Sequence, residues 1–513
     1  MSIPKEHFEN TYKLIRKIDK NKIADWLLTE GYYPEQYVLP PCFCVKSFPF
    51  NSEPYFKVKT KKNGQKEFKP TISEIITISF PKSHLTERSF GIIDPKIYHD
   101  IVWYLINEWE DVLDHLFHKE INIFSYSFPI PVTKKSEGEL GKLRPGRMIY
   151  EFIEMAENDL VAEAHKFKYL LLTDVKNFYP SIYTHSIPWA LSSKPKARED
   201  IGIFNLLGSK IDKLLQSSND RCTNGIPIGS AVSDIISEIL LAKVDRELSK
   251  TLNKHKINYI GVRFKDDYRF LCNSRKDADF IIKNLQNILR FYNLSLSEDK
   301  TEIKELPEGL FRPWTSEYQK YSLKDVYPIS YKRFETSLLA VLNIDRKHPN
   351  TGIIDKFLSE LTSKKYNLKL SIKPKEVFKL FSLLFLLKER RAKSFPQILA
   401  IIELILKKFE SEDDIIKRIE ESLYNIFKSY QEDIFENQYD LLWLYYFLKS
   451  NGFNRKRLTR VSSHPFINSL KSNSQKYFEN NQNIILYDPI KAKGKNKKLI
   501  EYLAVFPKDE DSN

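Results

Sequence analysis

The sequence predicts a mixed α+β fold in which a region of short strands and helices precedes an all-helical region. The chain has 513 residues, which is enough for about three domains at roughly 150 residues each. Before about residue 305, β-rich runs alternate with helical stretches and turn signals, and after it the pattern is mostly helical. With 42% apolar residues, the chain is expected to bury a substantial core.

The composition favours a polyanionic partner without proving one. The net charge is +14, from 81 basic and 67 acidic residues, and lysine and arginine release counterions from phosphates. Aromatic residues make up 13% of the chain and serve either as core volume or as platforms for stacked bases. Charge alone leaves two interpretations open, a nucleic-acid partner or a soluble protein that happens to be basic.

Cysteines and apolar segments both favour a cytoplasmic protein. Cys42 and Cys44 lack the second pair or nearby histidine of a zinc site, and four cysteines are too few for a disulfide framework in a chain this long. The first residues are polar, without the apolar core of a signal peptide. The most apolar run, Leu380 to Leu387, is far shorter than the roughly 18 residues of a membrane span. We expect no membrane partner.

The first candidate catalytic residue follows a predicted strand. Tyr169 to Thr173 is an apolar run typical of a buried strand, and Asp174 comes directly after it. A carboxylate in this position is costly unless it is paired or binds a metal. Taken alone, Asp174 is better explained as the capping residue of a helix.

Two adjacent acids stand at the tip of a predicted hairpin. Tyr259 to Phe264 has the pattern of a strand, Lys265, Asp266 and Asp267 that of a tight turn, and Tyr268 to Cys272 that of the return strand. Neighbouring carboxylates repel each other unless a cation lies between them. Because aspartate is also common in ordinary solvated turns, the pair alone indicates little.

Between these segments lies a loop rich in glycine that leads into a predicted helix. Gly225, Pro227 and Gly229 allow close approach of the backbone to a ligand, and the helix begins at about Ala231. A plain loop-to-helix junction would have the same pattern.

The order of these three features resembles the palm of a reverse transcriptase over roughly residues 120 to 310. Asp174 matches motif A of that family, residues 225–233 match motif B, residues 264–267 match motif C, and residues 296–301 are similar to motif D. The resemblance implies a reverse-transcriptase-like fingers/palm fold. The predicted domains are an N-terminal and fingers-like region (1–120), the palm (121–310) and an α-helical domain (311–513).

Further segments resemble the abortive-infection (Abi) reverse transcriptases of bacterial antiphage defence, close to the prophage-encoded members. The matching segments are Asn177 to Trp189, Tyr126 to Pro131 and Tyr32 to Gln36. The resemblance implies a helical-repeat (HEAT-like) domain, homo-oligomers, and synthesis of single-stranded DNA from dNTPs without a template. Some relatives prime synthesis from one of their own tyrosines, for which the candidates here are Tyr12, Tyr32, Tyr33 and Tyr37.

Three carboxylates are the predicted metal ligands and catalytic residues. As a hypothesis, Asp174 and Asp266 hold two Mg²⁺ ions, which prefer carboxylate and phosphate oxygens, and Asp267 supports the same metal site. In such a site one ion activates the attacking hydroxyl group and the other neutralises the triphosphate.

Other residues are predicted to contact the nucleotide. Tyr179 matches the family position that blocks a ribose 2′-hydroxyl, with core packing as the alternative. Lys300 matches the motif D lysine, a candidate acid for the departing pyrophosphate, and is otherwise an exposed surface lysine. The remaining candidate substrate-binding residues are Gly225, Pro227, Gly229, Lys142, Arg144 and Arg147, of which the three basic ones would reach the triphosphate or lie in a solvated loop.

Two departures from the family pattern keep other functions open. Phe264 replaces the tyrosine of the common motif C, and residues 306–311 stand where a primer-grip element is expected. The second departure disfavours templated copying of long duplexes. The alternatives are a conventional RNA-templated reverse transcriptase and a non-catalytic nucleic-acid-binding protein. For the helices after residue 310, periodicity does not separate a bundle from a solenoid.

Overall fold

The computed structural model describes residues 2–81, 86–134, 137–141, 145–349, 351–434, 436–453, 464–478 and 483–503, and for 145–151 it describes the backbone alone.

The N-terminal region combines four helices with two antiparallel strand pairs. Its helices and strands are α1 (Ile3–Ile15), α2 (Lys20–Leu28), β1 (Lys59–Thr60), β2 (Lys66–Glu67), β3 (Ile76–Pro81), β4 (Glu87–Ile92), α3 (Pro95–Asn107) and α4 (Trp109–Leu116). Strand β1 pairs with β2, and β3 pairs with β4. Asp94 begins α3 by accepting hydrogen bonds from the backbone of Lys96 and Ile97, with Pro95 in the first turn. Tyr98 then joins α3 to α2 because its hydroxyl group donates to the Leu27 carbonyl at 2.9 Å.

The central region contains a five-stranded sheet and the helices around it. Its elements are β5 (Ile123–Ser125), α5 (Pro145–Glu163), β6 (Tyr169–Asp174), α6 (Phe178–Ser181), α7 (Ser186–Leu191), α8 (Lys194–Glu199), α9 (Leu207–Ser218), α10 (Ala231–Lys254), β7 (Tyr259–Phe264), β8 (Asp267–Cys272), α11 (Arg275–Phe291) and β9 (Glu302–Glu305). The strand order is β5-β7-β8-β6-β9, and every pair is antiparallel except β5 with β7. The predicted strands and the helix beginning at Ala231 are confirmed.

The long helix α10 is the central support of this sheet. Ser230 begins it by accepting a hydrogen bond from the Ser233 backbone at 3.3 Å. Apolar residues on several sides of α10 are buried, so the helix lies inside the protein rather than on its surface. Helix α11 is amphipathic instead, and one stripe of Ala278, Ile281, Leu285 and Leu289 is buried.

The rest of the described chain is almost entirely helical. Its elements are α12 (Pro313–Gln319), β10 (Ile329–Ser330), α13 (Tyr331–Lys347), α14 (Ile353–Glu360), β11 (Leu370–Ser371), α15 (Val377–Arg390), α16 (Phe395–Lys408), α17 (Asp413–Tyr430), α18 (Gln438–Ser450), α19 (Pro465–Ser472) and α20 (Leu499–Tyr502). The mixed α+β fold is thus confirmed. Among the described helices, none is long and apolar enough to cross a lipid bilayer.

The C-terminal helices and the chain after them pack against the N-terminal region. The Trp443 indole on α18 donates to the Val38 carbonyl at 3.3 Å. The hydroxyl groups of Tyr33 and Tyr477 lie 2.6 Å apart, and both donate to the Leu486 carbonyl. Several buried hydrogen bonds therefore join the two ends of the described chain.

Candidate active site

Three aspartates meet at one end of the central sheet. Asp174 ends β6 and lies opposite Asp267, the first residue of β8. Asp266 stands in the two-residue turn between β7 and β8, where its carbonyl accepts a hydrogen bond from the Val175 backbone at 3.2 Å. Lys265, the first residue of that turn, has a φ of 50°, as the tight turns of hairpins require. The structure therefore brings together the three carboxylates that the sequence nominated as metal ligands.

The carboxylates perturb one another. Burial and the negative charge of Asp174 raise the pKa of Asp266 above its usual range. Loss of water, a hydrogen bond to Asp174 and the charges of Asp266 and Asp174 raise the pKa of Asp267 to about 7. Because Asp267 is exposed as a residue, we attribute more of its shift to the crowding of negative charges than to burial. Such crowding is relieved when a cation binds among the carboxylates.

The Lys300 ammonium group pairs with the carboxylate of Asp174. Partial loss of water lowers the pKa of Lys300, but the hydrogen bond to Asp174 and the nearby carboxylates outweigh this effect, and the net pKa is raised. Lys300 ends the short turn that begins at Ser297, whose backbone donates to the Asp174 carbonyl at 2.8 Å. Motif D is thus hydrogen-bonded to motif A, and Lys300 lies beside the predicted catalytic carboxylates.

The donor chemistry of the site suits a hard divalent cation. Three carboxylates with one ammonium group carry excess negative charge, and Mg²⁺ prefers such oxygen ligands. The residues that would hold it are Asp174, Asp266 and Asp267. Among the described residues, no group of three or more histidine, cysteine, aspartate or glutamate side chains is arranged to hold a metal ion, so metal binding by the three aspartates stays a prediction.

Tyr179 forms a partly buried polar cluster with Asp234 and with Lys265, the neighbour of Asp266 in the turn. Its hydroxyl group donates to Asp234, and the Lys265 ammonium group donates to both carboxylate oxygens of Asp234 at 3.2 Å. Burial and the charge of Asp234 raise the pKa of Tyr179. A cavity of about 40 Å³ adjoins the cluster and is lined by Glu35, whose Oε2 has no hydrogen-bond partner among the described residues.

Asp234 and Lys265 are not among the residues predicted from the sequence to have a role. Asp234 lies in the first turn of α10, and Lys265 fills the variable position of motif C. A lysine at a hairpin tip is usually solvated, so its partial burial was not foreseeable from the local pattern. Their contact with Tyr179 makes this pair the support of the predicted sugar-discriminating residue.

Arg263 fastens the hairpin to α10 from within the core. It is 1% exposed, and its guanidinium group donates to Glu238 at 2.8 and 3.0 Å and to Asp245 at 2.9 Å. It also donates to the Lys265 carbonyl at 2.9 Å, so one side chain joins the helix to the turn. Glu238 and Asp245 are seven residues apart and share a helix face. That spacing is the signal that sequence analysis could have used to find this network.

The backbone at the glycines of motif B lies close to other residues of the protein. Gly225 and Gly229 have φ values of 82° and 120°, which side chains rarely adopt. A Cβ at Gly225 would lie 3.2 Å from the Pro180 carbonyl oxygen, and one at Gly229 would lie 2.7 Å from the Phe90 ring. The loop pairs with β4, since the Gly91 backbone donates to Ile228 at 3.0 Å.

Substrate contact by Gly225, Pro227 and Gly229 stays a prediction. Among the basic candidates, Lys142 and Arg144 lie outside the described residues. Arg147 lies in α5, where the structure describes only its backbone.

With this geometry established, comparison with known proteins gives the class. Residues 129–331 match the family of reverse transcriptases (RNA-dependent DNA polymerases). The chain therefore contains a reverse transcriptase domain. Asp174, Asp266, Asp267, Tyr179 and Lys300 all lie inside the matched range. Domains of this kind are generally dependent on divalent metals and bind nucleotides and nucleic acid.

Solved structures similar to this chain include fungal telomerases. Telomerase from Candida albicans, in complex with a TWJ fragment of telomeric RNA, is 14% identical, with a TM-score of 0.29 over 68% of this chain and 64% of the telomerase chain. Telomerase from Candida tropicalis without ligand is 11% identical, with a TM-score of 0.33 over 76% of this chain and 70% of that one. No curated protein matches the chain.

Proposed function

We propose that the protein is a DNA polymerase of bacterial phage defence that adds dNTPs without a template. The observation that carries the polymerase activity is the convergence of Asp174, Asp266 and Asp267 within the reverse transcriptase domain. The defence role rests on the resemblance to abortive-infection reverse transcriptases, and it implies a cytoplasmic protein.

Bound at the three carboxylates, Mg²⁺ supplies charge neutralisation for phosphoryl transfer. The protein's own residues position the carboxylates, donate a proton and discriminate between sugars. The hairpin turn, held by Arg263 and by the Val175–Asp266 hydrogen bond, keeps the carboxylates at the end of the sheet. Lys300, beside Asp174, is placed to give a proton to the departing pyrophosphate. The ring of Tyr179 bounds the sugar position and disfavours a 2′-hydroxyl group.

Protein priming is the finer part of the proposal. Among the candidate tyrosines, Tyr32 and Tyr33 are buried, and their hydroxyl groups donate to backbone carbonyls. Tyr12 and Tyr37 are half-buried. Tyr12 donates to Asp114 at 2.7 Å near the surface. Accessibility therefore favours Tyr12 and Tyr37 over the other two as a site of covalent attachment.

A homo-oligomer built through the helical region is a further part of the proposal. Leu339 on α13 and Leu386 on α15 are 63% and 60% exposed, and they would offer apolar surface to a second copy. The successive helices from α13 onward are also compatible with the HEAT-like repeat that the resemblance implies.

The decisive experiment incubates purified protein with Mg²⁺ and labelled dNTPs, without template or primer. We expect long products whose gel mobility changes after protease digestion. Asp174→Asn serves as the matched control, because it keeps the size of the side chain and removes its charge. A folded Asp174→Asn protein with full activity would falsify the assignment of the site.

A conventional RNA-templated reverse transcriptase is the second candidate. It is favoured by the matched family, whose members are described as RNA-dependent DNA polymerases. The same assay tests it when an RNA template and a DNA primer are added. If product appears only when the template is present, the protein copies a template and the proposal of untemplated synthesis is wrong.

A further inference from the structure

A separate groove lies between α7, α8 and α9. Its cavity measures about 550 Å³, within the range of ligand-binding sites. Aromatic rings and basic side chains line it together, and we name it the aromatic–basic groove after its members Tyr183, His185, Trp189, Lys194, Arg198 and Lys213.

The aromatic rings of the groove are only half-buried, unlike those of the core. The ammonium group of Lys194 lies 4.2 Å from the centre of the Trp189 ring. Tyr183 stands edge-on to Trp189 at 5.8 Å and to His185 at 4.8 Å. Such rings beside a cavity, with a cation next to them, are the arrangement on which single-stranded nucleic acids stack their bases.

The charge of the groove is complementary to phosphate. Lys194, Arg198 and Lys213 form no ion pair with a carboxylate in the described parts of the chain. The acids that line the cavity are already engaged. Asp200 accepts hydrogen bonds from the backbone of residues 205 and 206, and Asp212 accepts from Gln216 at 2.7 Å and pairs with His185 at 2.5 Å. The three basic side chains are thus available to an anionic ligand.

The groove is connected to the catalytic motifs by the segment that follows Asp174. Tyr183 bridges to Asn224, and the Thr184 backbone donates to the Thr223 carbonyl at 2.8 Å. Motif B begins at Gly225, directly after this contact. The groove therefore adjoins the loop that leads into α10, on the segment that joins motifs A and B.

We propose that the aromatic–basic groove binds single-stranded DNA, with a base stacked against Trp189 and the backbone phosphates held by Lys194 and Lys213. Binding at the groove does not depend on polymerisation, whereas its use during synthesis rests on the proposed function.

The test measures binding of a fluorescently labelled single-stranded oligonucleotide by anisotropy, in protein carrying Asp174→Asn so that no extension occurs. In that background, Trp189→Leu should weaken binding on the order of tenfold, and Trp189→Tyr should retain most of it, because one aromatic ring replaces another. The double variant Lys194→Gln, Lys213→Gln should make binding less dependent on salt. The slope of the logarithm of the binding constant against the logarithm of the salt concentration should become shallower by about 1.4, for two lost phosphate contacts.

The matched charge control is the double variant Lys407→Gln, Lys417→Gln, which removes the same net charge from exposed positions on α16 and α17. Unchanged binding in this control, with weakened binding in the groove variants, supports the proposal. Equal weakening in both double variants would show a bulk charge effect and overturn it.

Two further ligands separate the alternatives. A duplex hairpin that binds the wild type as tightly as the single strand would overturn the proposal, because paired bases are not free to stack on Trp189. Displacement of the oligonucleotide by free dNTPs at equal nucleotide concentration would overturn it in favour of a nucleotide site. If the wild-type protein is inactive as a polymerase but the groove still binds the single-stranded oligonucleotide, the proposed function is refuted and this inference stands.

Discussion

Replacing Arg263 by methionine should destabilise the protein by removing the cation between two buried carboxylates. Arg263 donates to Glu238 and Asp245, and all three side chains are almost completely buried. Methionine approximates the length of the arginine stem but carries no charge and no hydrogen-bond donor. The variant therefore leaves two carboxylates inside the protein without their shared partner.

The expected loss is about 3 kcal/mol, at the lower end of the roughly 3–5 kcal/mol found when one partner of a buried ion pair is removed. Two features of the structure limit the loss. Glu238 keeps hydrogen bonds from Ser125 and Ser127 at 2.7 and 2.8 Å, and Asp245 keeps one from Tyr268 at 2.9 Å.

The loss should depend on pH. Burial already raises the pKa of Asp245 to about 6 even with Arg263 beside it, so without that cation the carboxyl group takes up a proton more readily. When the pKa of a carboxyl group is higher in the folded than in the unfolded protein, the free energy of unfolding falls as the pH rises from the unfolded pKa towards the folded pKa. Removing Arg263 raises the folded pKa further, and the loss should therefore be smaller at pH 5 than at pH 8.

Urea unfolding followed by intrinsic fluorescence at both pH values measures this effect. Arg269→Met is the matched control, because Arg269 on β8 pairs with Glu157 at 3.2 Å near the surface, where ion pairs contribute about 0–1 kcal/mol. If Arg263→Met were no more destabilising than Arg269→Met, the argument from buried charge would be wrong.

Three further changes probe the active site directly. Mg²⁺ should raise the thermal unfolding midpoint of the wild type, and Asp266→Asn should abolish that shift, because a ligand that binds only the folded state stabilises it; calorimetry with and without chelator measures this. Tyr179→Ala should increase ribonucleotide use on the order of tenfold, whereas Tyr179→Phe should not, since the ring and not the hydroxyl group bounds the sugar; competition between dNTPs and NTPs tests it, and equal discrimination in both variants would contradict the role. Lys300→Gln should slow incorporation by about 100-fold or more if its proton assists pyrophosphate release, and a rate equal to that of the neighbouring control Lys304→Gln would argue against it.

The local parts of the site were predictable from the sequence, whereas the long-range contacts were not. Strand β6, the hairpin of β7 and β8, and the start of α10 each follow from an apolar run next to turn or capping residues. Asp234 directly follows motif B and Lys265 lies in motif C, and only the folded chain shows that Asp234 accepts hydrogen bonds from both Tyr179 and Lys265. The sequence of one segment does not show which distant residues it will contact.

The same limit applies to the C-terminal helices. The spacing of Ile398, Ile401, Ile402 and Ile405 is typical of one helix face, and α16 buries all four of them. An amphipathic face shows that some surface must cover it but not which one. The contact of Trp443 with Val38 therefore could not be foreseen from periodicity.

The contact between Tyr33 and Tyr477 joins residues 444 positions apart, which has a consequence for biosynthesis. At about 5–20 residues per second, a ribosome needs roughly 20–90 s to make the intervening chain. During that time the apolar surface around Tyr33 and Phe43 lacks its final partner. We therefore expect the nascent N-terminal region to depend on chaperones or on provisional packing until the last helices emerge. The folded protein should form only after those C-terminal helices have been translated.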